Sequence, residues 1–167
     1  FVPKIISKSD HFYIYKKVKG KIVSKVLTKK IFLSLLNRCK ILWNKKIKKP
    51  NINDKNFQKN CKLFYKDKTI KRVAMFLKNY KLSDKYSYVN NQKVPNIKIL
   101  LKNIDWNYLS MGKKSLVHGD LHFENILYSK GKFIFLDWRQ DFSNNLYYGD
   151  LYYDLAKLMH GFIVSHS

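Results

Sequence analysis

The sequence predicts an α+β fold, mainly helical, with short strands gathered around one polar loop. Three observations lead there. Apolar residues recur at helical spacing in several stretches between Thr28 and Ile104, and again after Asp150. Two short segments, the alternating Phe12–Val18 and the apolar Phe133–Leu136, have the length and residue types of strands. The 167 residues are 46% hydrophobic and 16% aromatic, which suits one packed domain and excludes a disordered chain.

Phe12-Tyr13-Ile14-Tyr15-Lys16-Lys17-Val18 alternates enough for a strand, and Gly20 closes it. Thr28–Ile47 carries Ile31, Phe32, Leu35, Leu36, Cys39, Leu42 and Trp43 on one helical stripe, and Pro50-Asn51-Ile52-Asn53-Asp54 breaks it. A second helix is expected around Asp54–Tyr65. A third follows over Thr69–Tyr80, with Ile70, Val73, Ala74, Leu77 and Tyr80 in register. Thr69 would cap it, making Lys68 and Arg72 a solvated helix entrance. Ser83–Val94 is polar and aromatic without a period and reads as a loop. A helix over Asn96–Ile104 then leads toward the polar segment. Phe133–Leu136 is a short buried strand, and Leu151, Leu155, Leu158, Met159 and Phe162 form a final amphipathic run that Asp150 would cap.

The net charge of +23 is unevenly spread. Residues 1–116 hold 30 basic and five acidic residues, a net of +25, whereas 117–167 hold four basic and six acidic, a net of −2. The excess is nearly all Lys, with arginines only at 38, 72 and 139, whereas base-reading proteins lean on Arg forks. Specific nucleic-acid binding is therefore not expected, although polyanions will be attracted in dilute salt. No run of eighteen apolar residues predicts a membrane span, and no secretory signal precedes the first strand. The expectation is a cytoplasmic protein with Cys39 and Cys61 as buried, reduced thiols. No internal repeat or low-complexity linker divides the chain.

The acidic region holds the chemistry. His118-Gly119-Asp120-Leu121-His122-Phe123-Glu124-Asn125, with Asp137 directly after the strand Phe133–Leu136, offers one potential base and two oxygen ligands from neighbouring segments. That is the minimum for moving the γ-phosphoryl of ATP to a hydroxyl, a reaction in which the protein mainly positions groups and neutralises charge. Asp120 would face the acceptor hydroxyl. Asn125, five residues on, and Asp137 would hold Mg²⁺, which takes oxygen ligands and keeps several waters. Asp and Asn also favour turns on their own account. His118 and His122 read as hydrogen-bonding residues of a packed loop. Glu124 could equally face solvent, metal or substrate.

Val117–Leu127 followed by Phe133–Trp138 resembles the catalytic loop and metal-binding strand of the aminoglycoside phosphotransferase and choline kinase group, small-molecule kinases that share the protein-kinase-like fold. In protein kinases the loop reads His-Arg-Asp with Asn five residues after the Asp, and the metal strand ends Asp-Phe-Gly. Here Gly119 replaces the Arg and Trp138 follows the acid, which favours the small-molecule branch. Gly149-Asp150-Leu151-Tyr152-Tyr153-Asp154-Leu155-Ala156 resembles the helix start that follows in the same group. The close match covers roughly Ser115–Gly161, and the ordered set of three blocks is far more specific than the Asp-to-Asn spacing alone.

The resemblance implies a C-terminal lobe of a protein-kinase-like fold. Residues 1–20 would be a hinge-like strand region following an N-terminal lobe, with backbone groups near Phe12–Val18 against adenine. Residues 21–167 would be the helical lobe, with catalytic loop 115–127 and metal strand 133–138. It makes Asp120 the catalytic base, Asn125 and Asp137 the Mg²⁺ ligands, and ATP the phosphoryl donor. His118 would brace the loop, and the acid at the helix start, Asp150, would tie down its backbone. Apart from the resemblance, His122, Glu124 and Arg139 are the further candidates for contact with substrate.

The six glycines stand at 20, 112, 119, 131, 149 and 161, none in the Gly-rich cluster that covers nucleotide phosphates, and nothing resembles the strand with the phosphate-binding Lys. The chain also starts at Phe1. The expectation is a fragment whose N-terminal lobe lies upstream and whose own activity is low. For the acceptor, Arg139 stands where choline kinases commonly carry an acid, and a cation there would repel a quaternary ammonium. Tyr147, Tyr148, Tyr152 and Tyr153 suit either a core or a sugar-stacking surface. A sugar or polyol, as in surface-polysaccharide synthesis, ranks first, with choline and other amino alcohols next and aminoglycosides last. A catalytically silent binding lobe is the second function class, and a Lys-rich nucleic-acid binder the third.

Overall fold

The computed structural model of the chain describes residues 2–46 and 53–163. In chain order the elements are β1 (Ile5–Lys8), β2 (Tyr13–Tyr15), β3 (Lys21–Ile22), α1 (Lys29–Trp43), α2 (Asp54–Lys62), α3 (Lys68–Asn79), β4 (Ser87–Val89), β5 (Gln92–Val94), α4 (Ile97–Lys102), α5 (Trp106–Leu109), β6 (Lys114–Ser115), β7 (Ile126–Ser129), β8 (Lys132–Phe135), β9 (Gly149–Asp150) and α6 (Leu151–Ile163). Helix outweighs strand, as expected. The expected end of the first helix at Ile47, and the Pro50–Ile52 part of its break, lie outside the described residues.

The chain gathers into two compact units, 1–51 with 113–167, and 52–112. In the first, β7 and β8 form a hairpin closed by Lys130 and Gly131, both at positive φ (47° and 77°), the geometry that two-residue hairpin turns require. β3 pairs with the outer edge of β7 through Lys21↔Tyr128 and Ile22↔Leu127, giving the sheet order β3-β7-β8. Thr28 caps α1 through its hydroxyl, which accepts from the Ile31 N–H at 3.2 Å. Leu35 and Cys39, one turn apart on α1, are completely buried with Leu121, Phe123, Ile126, Phe133, Phe135 and Leu158 in one core. Gly161 on α6 lets Phe123 in: an added Cβ would stand 2.7 Å from its ring. Burial and the charge of Asp154 push the Cys39 thiol up to about 12, an inert packing residue.

The first strand departs from the reading. It is shorter than Phe12–Val18 and pairs with an unforeseen partner, β1, in an antiparallel hairpin with Ile5 opposite Tyr15. Ile5, Ile6, Tyr13 and Ile14 stay half or more exposed, so hydrophobic patterning did not mark the pair.

In the second unit the two expected helices are one run. Lys62, Leu63, Asp67 and Lys68 have helical backbone angles, and α2 passes into α3 through a π turn, Leu63–Asp67, in which the Lys68 N–H bonds the Leu63 carbonyl. Thr69 is therefore interior and not a cap, because no Gly or Pro between 54 and 79 offers a break. Lys68 sits with its Nζ 4.3 Å from the centre of the Phe64 ring, not at a solvated entrance. Within the expected loop Ser83–Val94, β4 and β5 form a hairpin turned by Asn90 and Asn91, both at positive φ (49° and 61°). Asn96 caps α4 as expected, accepting from the Ile99 N–H at 3.0 Å.

Candidate active site

The loop between β6 and β7 is built by alternation. Leu121 and Phe123 are buried in the core, while Asp120, His122 and Glu124 between and beside them stay partly exposed. The apolar pair anchors the loop and leaves three polar side chains on its open side.

Helix α6 fastens the backbone. Asp154 is completely buried, and its carboxylate accepts the N–H of Gly119 (2.8 Å), the N–H of His118 (2.9 Å) and the indole N–H of Trp43 (3.0 Å). Burial pushes its pKa up, against these three donors, which favour the charged form. Asp150, expected to tie down the loop, instead accepts from the N–H groups of Lys113 (2.7 Å) and Tyr152 (3.1 Å). The reason is register. Gly149 and Asp150 are paired as β9 with Lys114 and Ser115, so Asp150 meets the entry to β6, and the acid one helical turn later meets the loop.

His118 joins the loop to the strand. It is completely buried. Its Nδ1 accepts the Asp120 N–H (3.2 Å), so its Nε2 carries the proton and donates to the Leu136 carbonyl (2.7 Å). Burial, outweighing that hydrogen bond and the nearby acids, lowers its pKa to about 4. Two further backbone bonds close the seam: the Leu136 N–H to the Asn125 carbonyl (2.8 Å) and the Arg139 N–H to the His118 carbonyl (3.0 Å).

This seam brings Asp120, Asn125 and Asp137 to one end of the β7–β8 hairpin. Asn125 Nδ2 donates to both the carbonyl (2.9 Å) and Oδ2 (3.1 Å) of Asp120, which leaves its Oδ1 as the free acceptor. Asp137 is exposed with φ at 52°, a backbone state uncommon for a residue with a side chain, and its carboxylate takes no hydrogen bond from the described residues. Oε2 of Glu124 is buried without a hydrogen-bond partner among the described residues. No three His, Cys, Asp or Glu side chains among the described residues cluster for a metal. Asn125 Oδ1 and the Asp137 carboxylate are the two oxygen donors at this end of the hairpin that could hold a metal. That fits a hard divalent cation such as Mg²⁺, which draws its other ligands from water and phosphate.

One residue at the site escaped the sequence reading. Lys157 Nζ lies 2.9 Å from Asp120 Oδ1 and 2.9 Å from His122 Nε2, with His122 Nε2 itself 3.4 Å from that oxygen. Burial alone would raise the Asp120 pKa, but the hydrogen bond and charge of Lys157, then His122 and Asn125, outweigh it and hold the carboxyl below its usual value. Burial and Lys157 lower the His122 pKa, so the ring is neutral at neutral pH. The available signal was that Lys157 is the one Lys after Lys132.

Arg139 lies across Gly119. Its Nε donates to the Gly119 carbonyl (2.9 Å), and its Cζ is 5.7 Å from the centre of the Tyr153 ring. A cavity of about 230 Å³ is lined by Ile5, Tyr13, Tyr15, Phe135, Asp137 and Trp138, among others.

A partly exposed carboxylate on a braced loop, with oxygens of two further residues on the same seam, suits a kinase-like phosphotransferase, which works by positioning and charge neutralisation. Comparison with known families agrees. The model of the phosphotransferase enzyme family (APH) matches residues 75–165, more than half of the chain, and the chain belongs to that family. With the family comes the protein-kinase-like fold. No curated protein and no solved structure matches the chain. Among the described residues, no helix is long and apolar enough to cross a membrane.

Proposed function

We propose that this chain carries the transfer centre of an ATP- and Mg²⁺-dependent phosphotransferase acting on a hydroxyl of a small molecule. One observation carries the reading: Asp120 and Asn125 share hydrogen bonds on a loop whose backbone is bonded to the segment after β8 that leads to Asp137. Asp120 takes the proton of the acceptor hydroxyl, Asn125 Oδ1 and Asp137 hold the metal, and His118 braces the loop. The bound Mg²⁺ supplies charge neutralisation at the phosphates.

The cavity between β1–β2 and Phe135–Trp138 is walled by aromatic and aliphatic side chains and reaches Asp137, which suits a planar base ahead of its phosphates. The reading assigns this chain to the C-terminal lobe, with 1–20 as the hinge region. It draws the missing Gly-rich loop and phosphate-binding Lys from an upstream lobe. A sugar or polyol is the favoured acceptor, because the Arg139 guanidinium beside Gly119 disfavours a quaternary ammonium. Surface-polysaccharide synthesis and a cytoplasmic location, where ATP is supplied, suit such a reaction. The absent phosphate loop favours a second reading, a silent binding lobe.

The deciding experiment is a thermal-shift titration with ATP, with and without Mg²⁺, beside Asp137→Ala. Ligand at about a hundred times its Kd stabilises by about 2.7 kcal/mol, or about 5–10 °C for a chain of this size. A Mg²⁺-dependent shift that Asp137→Ala abolishes supports the reading. No shift means that this chain by itself lacks a usable nucleotide site and moves the test to the protein with its upstream lobe, whereas a shift indifferent to that substitution counts against the reading.

A further inference from the structure

Both oxygens of the Asp120 carboxylate are held, and by different parts of the fold. Oδ2 accepts from Asn125 within the loop at 3.1 Å, and Oδ1 meets Lys157 on α6 at 2.9 Å. A carboxylate on a two-torsion side chain and a third exposed is otherwise free to turn. One grip fixes an oxygen, and two on opposite oxygens fix the plane. Lys157 is itself oriented, since the neutral His122 takes a second of its three N–H groups at 2.9 Å and the Tyr153 ring centre lies 5.6 Å away. It stands three residues after Asp154, whose carboxylate holds the backbone of His118 and Gly119. Residues three apart share a helix face, so one face of α6 carries both grips.

We propose that Lys157 is the positioning residue for phosphoryl transfer, fixing the Asp120 carboxylate toward the acceptor hydroxyl. The inference rests on the transfer function proposed above. In that step the acceptor oxygen forms a bond to the γ-phosphorus as the bond to the ADP oxygen breaks. The acceptor proton passes to Asp120, and ADP leaves with the electron pair. Lys157 forms no bond to the reacting atoms. It acts through the carboxylate, and misplacement of such a group by about 1 Å costs about a hundredfold in rate.

The test, made on the protein with its upstream lobe, compares wild type, Lys157→Met and Lys157→Arg in two measurements. In steady-state transfer from MgATP to an accepted sugar, Lys157→Met lowers kcat by about 10²-fold and leaves the KM for ATP within about twofold, while Lys157→Arg recovers to within about tenfold of wild type. In crystal structures, Lys157→Met turns or splits the Asp120 side chain and preserves the Asp154 bonds to His118 and Gly119. An Asp120 conformer unchanged in Lys157→Met, or an unchanged kcat, overturns the proposal. Failure of wild type to bind MgATP or transfer phosphate strikes the underlying function instead, and the crystallographic comparison still decides whether Lys157 positions Asp120.

Discussion

Asp154 accepts the backbone N–H of His118 at 2.9 Å across 36 residues of sequence, and that bond ties the loop to α6. With Gly119 and Trp43 as further donors, the same buried carboxylate is a three-way tie among α1, the loop and α6. Asp154→Asn keeps one acceptor oxygen and turns an NH₂ toward an N–H. A buried donor left without an acceptor costs about 1–3 kcal/mol. The expected fall in Tm is about 3–9 °C, read by circular dichroism. A Tm within about 2 °C of wild type means that the loop does not depend on this tie.

Gly119 sits at φ 80°, and a Cβ there would stand 2.5 Å from Cβ of Arg139. Gly119→Ala meets both obstacles. The left-handed backbone costs an L-residue about 1–2 kcal/mol, and the overlap pushes Arg139 off the Gly119 carbonyl. The expected result is a lower denaturant midpoint with an unchanged m value. Gly131 is at φ 77° with nothing near it and serves as the control. Gly131→Ala should show only the backbone cost.

The proximity of Asp120, Asn125 and Asp137 was legible because it is local: a loop, a hairpin and one backbone bond from Leu136 to Asn125 suffice to make it. The stripe of α1 and its Thr28 cap were legible for the same reason. Lys157 was not, because its contact with Asp120 needs α6 folded back over the loop, and side-chain spacing carries no record of that. The choice between Asp150 and Asp154 was a question of register, decided by β9 pairing with β6. Thr69 looked like a cap by composition, but cap preference yields to a helix that nothing interrupts. The hairpin of β4 and β5 has exposed strands, so alternation could not announce it; only the Asn90-Asn91 pair could have.

His118 makes stability depend on pH. Its folded pKa lies near 4 against an ordinary 6.5, so between those values the unfolded chain binds the extra proton. Its contribution is complete above pH 6.5 and is lost as pH falls toward 4. At about 1.4 kcal/mol per unit, moving from pH 6.5 to 5 should remove about 2 kcal/mol. His122, also lowered, and Asp154, raised, add their own pH dependence but stay in both proteins when wild type is compared with His118→Gln. Urea unfolding at the two pH values should show the smaller loss in the variant. Equal losses would mean that His118 titrates normally.

Asp120→Asn separates chemistry from binding. Asn is nearly isosteric and can still accept from Asn125, but it cannot take a proton, and its NH₂ cannot pair with the Lys157 ammonium. If Asp120 is the base, kcat for transfer to a sugar or polyol by the protein with its upstream lobe falls by about 10²–10⁴, while the Mg²⁺-dependent thermal shift with ATP persists because Asn125 and Asp137 are untouched. Loss of the thermal shift as well would make Asp120 part of the nucleotide site. Transfer at an undiminished rate would place the proton acceptor elsewhere, with Glu124 next, since its Oε2 is buried without a hydrogen-bond partner among the described residues.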